Sequence, residues 1–172
     1  MLARFGNGTG GFYDTADDSE RLIYRPSDVA DGPSPSGTFA VADALLSHAA
    51  LTGSAARRDA AVGALAAVPA LAGRYPRAAG SGLAVAEAVL SGPVEIAVVG
   101  PPTPLRDELH RTALTAAPPG AVIAAGDATD GAAIPLLEGR EPVEGKAAAY
   151  VCRHFTCRAP VTETAELIAA LQ

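Results

Sequence analysis

Asp14, Asp17 and Asp18 stand close together on the segment Gly10-Gly11-Phe12-Tyr13-Asp14-Thr15-Ala16-Asp17-Asp18, beside two aromatic residues and behind a pair of glycines. Paired carboxylates serve sugar chemistry, in which one carboxyl protonates a leaving oxygen and another acts as base or nucleophile. Their separation sets the stereochemical outcome. Asp14 and Asp17 are the expected catalytic pair, and Phe12, Asp18, Arg25 and Ser36 the expected substrate-binding residues around them. The same residues also admit a structural reading, in which one aspartate caps a turn and another pairs with Arg21 or Arg25 to hold the loop shut.

Other reactive residues lack a pattern that chemistry needs. Ser34, Ser36 and Gly37 suggest a nucleophile, but there is no Gly-x-Ser-x-Gly elbow and no His nearby in sequence to act as base. Cys152 and Cys157 have a C-x4-C spacing with His154 between them. Structural zinc sites pair cysteines more closely and take four ligands, so no metal is expected. If residues 150 to 157 stay extended, the two thiols point to opposite faces, and free thiols are expected rather than a disulfide. His48 is expected to pack on a helix and His110 to face solvent, while Glu138 and Arg140 read as a turn held by an ion pair. Neither G-x-G-x-x-G nor a P-loop follows the run Val94–Val99, so no nucleotide cofactor is expected.

These residues are positioned by three successive regions. Residues 1–33 are dense in Gly, Asp, Pro and Ser, with a short apolar break at Leu22-Ile23-Tyr24, and read as an ordered acidic pocket loop with at most one short strand. Residues 34–92 read as helical hairpins. Ser34 is the expected cap and Pro35 the first helical residue of a helix carrying Val41, Leu45 and Ala49, ended by Gly53. Ser54 caps a second helix with Val62, Leu65 and Val68 on one face, which Pro69 ends or kinks. A third, from about Gly82 to Leu90, stops at Gly92-Pro93.

Residues 93–172 read as a small parallel α/β subdomain. Its expected strands are Val94–Val99, Ala121–Ala125 and Ala147–Cys152, and its expected helices run from about Pro104 to Ala116 and from about Thr162 to Leu171.

Composition narrows the function classes. The chain has 172 residues, 49% of them hydrophobic, enough for a core. Its net charge is -6 and Lys146 is its only lysine, so the clustered basic footprint of a nucleic-acid binder is missing. No apolar run approaches a membrane span, and the first residues lack the apolar centre of a secretory signal. With only two cysteines there is no secreted disulfide framework, and a cytoplasmic protein is expected.

With the elements placed, three blocks together resemble one family. They are Gly10 to Asp18; Arg25-Pro26 through Asp31 to Pro35-Ser36-Gly37; and Ala149-Tyr150-Val151-Cys152-Arg153-His154-Phe155-Thr156-Cys157-Arg158-Ala159-Pro160-Val161-Thr162. In order, spacing and wording they are similar to the C-terminal portion of the YyaL-like, DUF255 thioredoxin-domain proteins, which include a spermatogenesis-associated protein. One departure is Thr38, where the family commonly places Asn after the Ser-Gly pair.

The resemblance implies a fold of mixed α and β: terminal helical hairpins of an α/α toroid like that of six-hairpin glycosidases, followed by the α/β subdomain. It also implies a longer protein, with a thioredoxin-like domain and earlier hairpins ahead of this chain, which reads as a C-terminal fragment inactive alone. The partners implied are a carbohydrate-like small molecule and the missing N-terminal portion or another polypeptide. The alternative is a non-catalytic scaffold or protein-interaction module of a redox-related protein.

Overall fold

The computed structural model describes residues 2–21, 23–153 and 156–172. It is mixed helix and strand, and the chain divides into two compact units. One holds the residues up to Ala49 together with Ala55–Ser91; the other holds Ala50–Ser54 and Gly92–Gln172. Among the described residues no helix is long and apolar enough to cross a membrane.

In the first unit a short helix α1 (Leu2–Phe5) precedes the acidic loop, and α2 (Gly37–Thr52, its last three residues counted with the second unit), α3 (Ala55–Ala64), α4 (Val68–Arg74) and α5 (Gly80–Ser91) follow it. The expected strand at 22–24 is not found at Ile23 and Tyr24, which form an exposed bend; Leu22 lies outside the described residues. Among the described residues the loop instead makes an isolated bridge, between Gly6 and Phe12.

Helix α2 starts at Gly37, three residues beyond the expected Ser34 cap. Ser36 takes that role: its Oγ accepts the Phe39 amide at 3.2 Å, which satisfies one of the helix's orphan donors. Gly53, at φ 66°, ends the helix in the left-handed conformation that glycine adopts without steric cost.

Pro69 neither stops the chain's helical course nor leaves it straight. The turn before it tightens to a 3₁₀ helix over Leu65–Ala67, and α4 begins at Val68 with proline in its first turn, where no amide is required. The core gathers Phe12, Phe39, Ala42, Leu46, Ala61, Ala64, Leu65, Val68, Val85 and Ala88. Alanine-rich helices approach closely, and Gly82 sets the limit: a Cβ there would lie 2.7 Å from the fully buried Phe39 ring.

In the second unit β1 (Glu95–Val99), α6 (Pro104–Ala116), β2 (Val122–Gly126), β3 (Ala148–Arg153), β4 (Thr156–Cys157) and α7 (Thr164–Leu171) form one sheet with helices against it, strand order β2-β1-β3-β4. The β1–β2 pair is parallel, joined through α6. The β1–β3 pair is antiparallel, so the sheet is mixed and the expected all-parallel arrangement is corrected. The cause is the connection from Gly126 to Ala148, which contains 3₁₀ turns at Ala128–Ala132 and Pro135–Leu137 and no crossover helix; a parallel return requires such a crossover.

Alternation along β1 separates two cores. Ile96 and Val98 meet Leu109, Ala113, Val151 and Leu167 on one face. Ala97 and Val99 meet Val122, Leu136 and Leu137 on the other, with Ala50 and Leu51 packed alongside.

Candidate functional site

The acidic loop is tied down by its own backbone. Tyr13 donates its amide to Phe5 O at 2.8 Å, Asp14 to Pro26 O at 2.9 Å and Asp17 to Arg4 O at 3.0 Å. Arg25 is the clamp: its Nη2 donates to Thr15 O at 2.6 Å and to Arg4 O at 3.1 Å, while its guanidinium lies 4.0 Å over the Tyr13 ring. Ser27 Oγ donates to Phe12 O at 2.7 Å. Upstream, Asn7 Oδ1 accepts the amides of Thr9 and Gly11, an Asx turn that starts the loop.

The residues singled out for sugar chemistry take different positions in this frame. Phe12 is 4% exposed and belongs to the core. Ser36 is buried and spends its hydroxyl oxygen on the α2 cap. Asp18 forms an ion pair with Arg4, both half-exposed, rather than with Arg21 or Arg25. Asp14 lies at the start of α2, its Oδ1 near Gly37, and its Oδ2 accepts a long 3.3 Å bond from the Asp28 amide; the helix dipole favours a carboxylate there. Asp17 is exposed, and its carboxylate has no partner among the described residues. The structure thus brings Asp14 and Ser36 to one helix start and leaves Asp17 as the free carboxylate.

Arg25 serves the loop through carbonyls and a ring face, with its Nε buried and unpartnered among the described residues. Replacing it with Ala removes a charge-assisted clamp of about 1.5–3 kcal/mol per bond before solvent screening. In Arg25→Ala, amide hydrogen exchange should accelerate about tenfold or more at Tyr13, Asp14 and Asp17, while the amides of β1 keep wild-type protection.

Asp31 carries more of the site's geometry than the sequence suggests. Its Oδ1 accepts the Ser36 amide at 2.9 Å and the Ser81 hydroxyl at 2.5 Å; its Oδ2 accepts the Ser81 amide at 2.7 Å. Its own amide donates to Ala78 O at 2.8 Å. One carboxylate therefore fixes the entry to α2 and the first turn of α5. Burial pushes its pKa up, but the Ser81 hydroxyl and the Ser36 and Ser81 amides together bring it below the ordinary 3.8. The sequence signal was an Asp five residues before the true cap; the partner 50 residues on had none.

The cysteines correct a second expectation. Cys152 and Cys157 form a disulfide. The chain does not stay extended: β3 and β4 pair antiparallel with Cys152 directly opposite Cys157, so both sulfurs fall on the same side of the hairpin. His154, between them, lies outside the described residues. Arg140 also departs from its expected ion pair with Glu138. It donates through Nη1 to Leu136 O and, at 3.4 Å, to Glu138 O, and through Nη2 to Cys152 Sγ at 3.4 Å and Cys157 Sγ at 3.5 Å. His48 is exposed on α2 and His110 is partly buried on α6.

At the ends of β1 and β2, where a parallel sheet commonly takes a ligand, the polar groups serve the fold. Thr103 Oγ1 caps α6 through the Arg106 amide, Arg106 Nη1 donates to Gly100 O, and Asp127 and Asp130 form a reciprocal capping box. Bonds from the Thr129 hydroxyl and amide hold the Asp127 carboxyl below its ordinary range. No family model matches the chain, and no curated protein or solved structure proves significantly similar to it.

Proposed function

We propose that this chain corresponds to the C-terminal part of a thioredoxin-domain protein with a six-hairpin, glycosidase-like toroid, and that it supplies one wall of a carbohydrate-type pocket without being catalytic alone. The observation that carries this reading is the division of labour among the three aspartates. Asp18 is neutralised by Arg4 and Asp14 is turned to the α2 start, while Asp17 remains free on a loop whose backbone is fixed. Hydrolysis of a glycosidic bond takes two carboxyl groups facing each other across the bond. One free carboxylate suits a hydrogen bond to a sugar hydroxyl, and the exposed ring of Tyr24, the residue before Arg25 in sequence, suits stacking. The low cysteine content supports a cytoplasmic setting, in which a disulfide belongs to the exchanging rather than the permanent kind.

The test is turnover. Incubated with a panel of aryl α- and β-glycosides, the chain should release no phenol above buffer. Release that disappears in Asp14→Asn or Asp17→Asn would overturn the reading and restore the two aspartates as a catalytic pair.

A second reading, a scaffold contacting another polypeptide, is favoured by α5. Leu83 and Leu90, seven residues apart on one helical face, are 43% and 82% exposed. A sugar titration separates the two, since a scaffold leaves the acidic loop unresponsive.

A further inference from the structure

We propose that Asn7 is a self-modification site, at which the side-chain amide is converted to a carboxylate through a succinimide closed by the Gly8 amide nitrogen. The site lies at the base of the acidic loop. Its chemistry is independent of the sugar-binding reading, because it needs no ligand.

The sequence supplies the reacting pair. Asn7 is the only asparagine of the chain, and Gly8 follows it. Ring closure joins the backbone nitrogen of one residue to Cγ of the residue before it, an approach that a side chain on the attacking residue would crowd. Gly8 has no side chain, is exposed, and has open space where a Cβ would stand. Its amide has no hydrogen-bond partner among the described residues, so no bond has to break before it attacks.

The fold supplies the oxyanion site. When the Gly8 nitrogen adds to Cγ, negative charge develops on Asn7 Oδ1. That oxygen accepts three hydrogen bonds: from the Thr9 amide at 2.9 Å, the Thr9 hydroxyl at 2.8 Å and the Gly11 amide at 3.1 Å. Donors already aimed at an oxygen that gains charge lower the barrier to its formation. Gly11 also leaves room for the amide that departs, since a Cβ there would lie 2.8 Å from Asn7 Nδ2. The Asx turn that starts the loop is therefore also the arrangement that activates its own first residue.

The step balances with water and hydroxide. Hydroxide takes the Gly8 amide proton and the nitrogen–Cγ bond forms; the Cγ–Nδ2 bond then breaks as Nδ2 takes a proton from water and leaves as ammonia. Water next adds to one of the two ring carbonyls, the ring nitrogen recovers a proton, and aspartate or isoaspartate results. Nothing is oxidised or reduced. In isoaspartate the main chain runs through Cβ and Cγ, which displaces the Asn7 amide from Gly11 O, its acceptor at 3.0 Å, and disturbs the adjoining Gly6–Phe12 bridge. The loop gains a carboxylate and loses ties at its base.

The intact chain is aged at mildly alkaline pH, with the mass gain followed on the whole protein and the product located by peptide mapping. Gln172 carries the only other side-chain amide, so the map has two sites to separate. The gain is expected at Asn7, and its rate should fall about tenfold when the chain is unfolded in guanidinium chloride, where the three donors are lost. Thr9→Val removes the hydroxyl donor and should slow the folded chain about threefold to tenfold, the rate equivalent of one neutral hydrogen bond. Thr9→Ser keeps that donor and should keep the wild-type rate. No gain at Asn7, a rate that rises on unfolding, or equal rates in Thr9→Val and wild type would overturn the proposal.

Discussion

Asp31→Ala should lower the stability of the helical unit by about 2–4 kcal/mol. The substitution leaves the Ser36 and Ser81 amides without an acceptor at two helix starts; a cap is worth about 0.5–2 kcal/mol, and bonds to a charged group about 1.5–3 kcal/mol each before solvent competes. Urea unfolding followed at backbone amides of α2 and α5 should show the midpoint falling with an unchanged m-value. Asp31→Asn keeps one acceptor oxygen and should lose roughly half as much.

The pH dependence of that difference has a definite sign. The folded carboxyl titrates below its ordinary 3.8, so its contribution is complete above the unfolded value and is lost as pH falls through the folded one. The wild-type advantage over Asp31→Asn should be flat above about pH 5 and fade below about pH 4. An advantage that grows on acidification would mean that burial, not the three hydrogen bonds, governs this carboxyl.

Gly100→Ala should cost about 3–5 kcal/mol, the largest effect expected of a single methyl group in this chain. Gly100 ends β1 at φ 139°, and its amide extends the β1–β2 ladder by donating to Gly126 O at 3.1 Å. A Cβ there would lie 2.7 Å from the Cα of Ala147, a buried backbone atom that cannot swing aside. Backbone strain of about 1–3 kcal/mol and overpacking of a similar size act together. Gly139→Ala is the control. It is also left-handed, at φ 68°, but faces open space, so it should cost only about 1 kcal/mol. Thermal unfolding of the two variants side by side reads the difference, and equal midpoints would contradict the close approach of Gly100 to Ala147.

Local signals were the legible part of this fold. Thr103-Pro104 and the apolar spacing to Ala113 mark α6 because cap, proline and periodicity agree. Gly53 and Gly92 mark helix ends, both with positive φ. Where two local signals compete, the reading fails: Ser34-Pro35 resembles a helix start as well as Ser36-Gly37 does, and the choice is made by Asp31 reaching the Ser36 amide. Strand direction is not written in a β-branched run, and β3 is antiparallel to β1 because its connection lacks a crossover helix. The disulfide depends on a chain reversal within four residues that no glycine announces.

The acidic loop shows the same limit from the functional side. Its composition singles out Asp14, Asp17 and Asp18, but the partners that engage the Asp14 and Asp18 carboxylates are Asp28, Gly37 and Arg4, which share no motif with them. Phe12 and Ser36 illustrate how aromatic and hydroxyl residues beside carboxylates are claimed first by core and cap.

The proposed division among the aspartates is open to one direct measurement. With uniformly ¹³C,¹⁵N-labelled chain titrated with maltotetraose, the side-chain carboxyl carbon of Asp17 and the amides of Gly10 to Asp18 should shift saturably, with a Kd on the order of millimolar, as the proposed one-walled site implies. The carboxyl carbons of Asp14 and Asp18 should stay in place, and Asp17→Asn should abolish the response. Movement of the Asp14 and Asp18 carboxyls with Asp17 silent, or an acidic loop that does not respond at all, would contradict it.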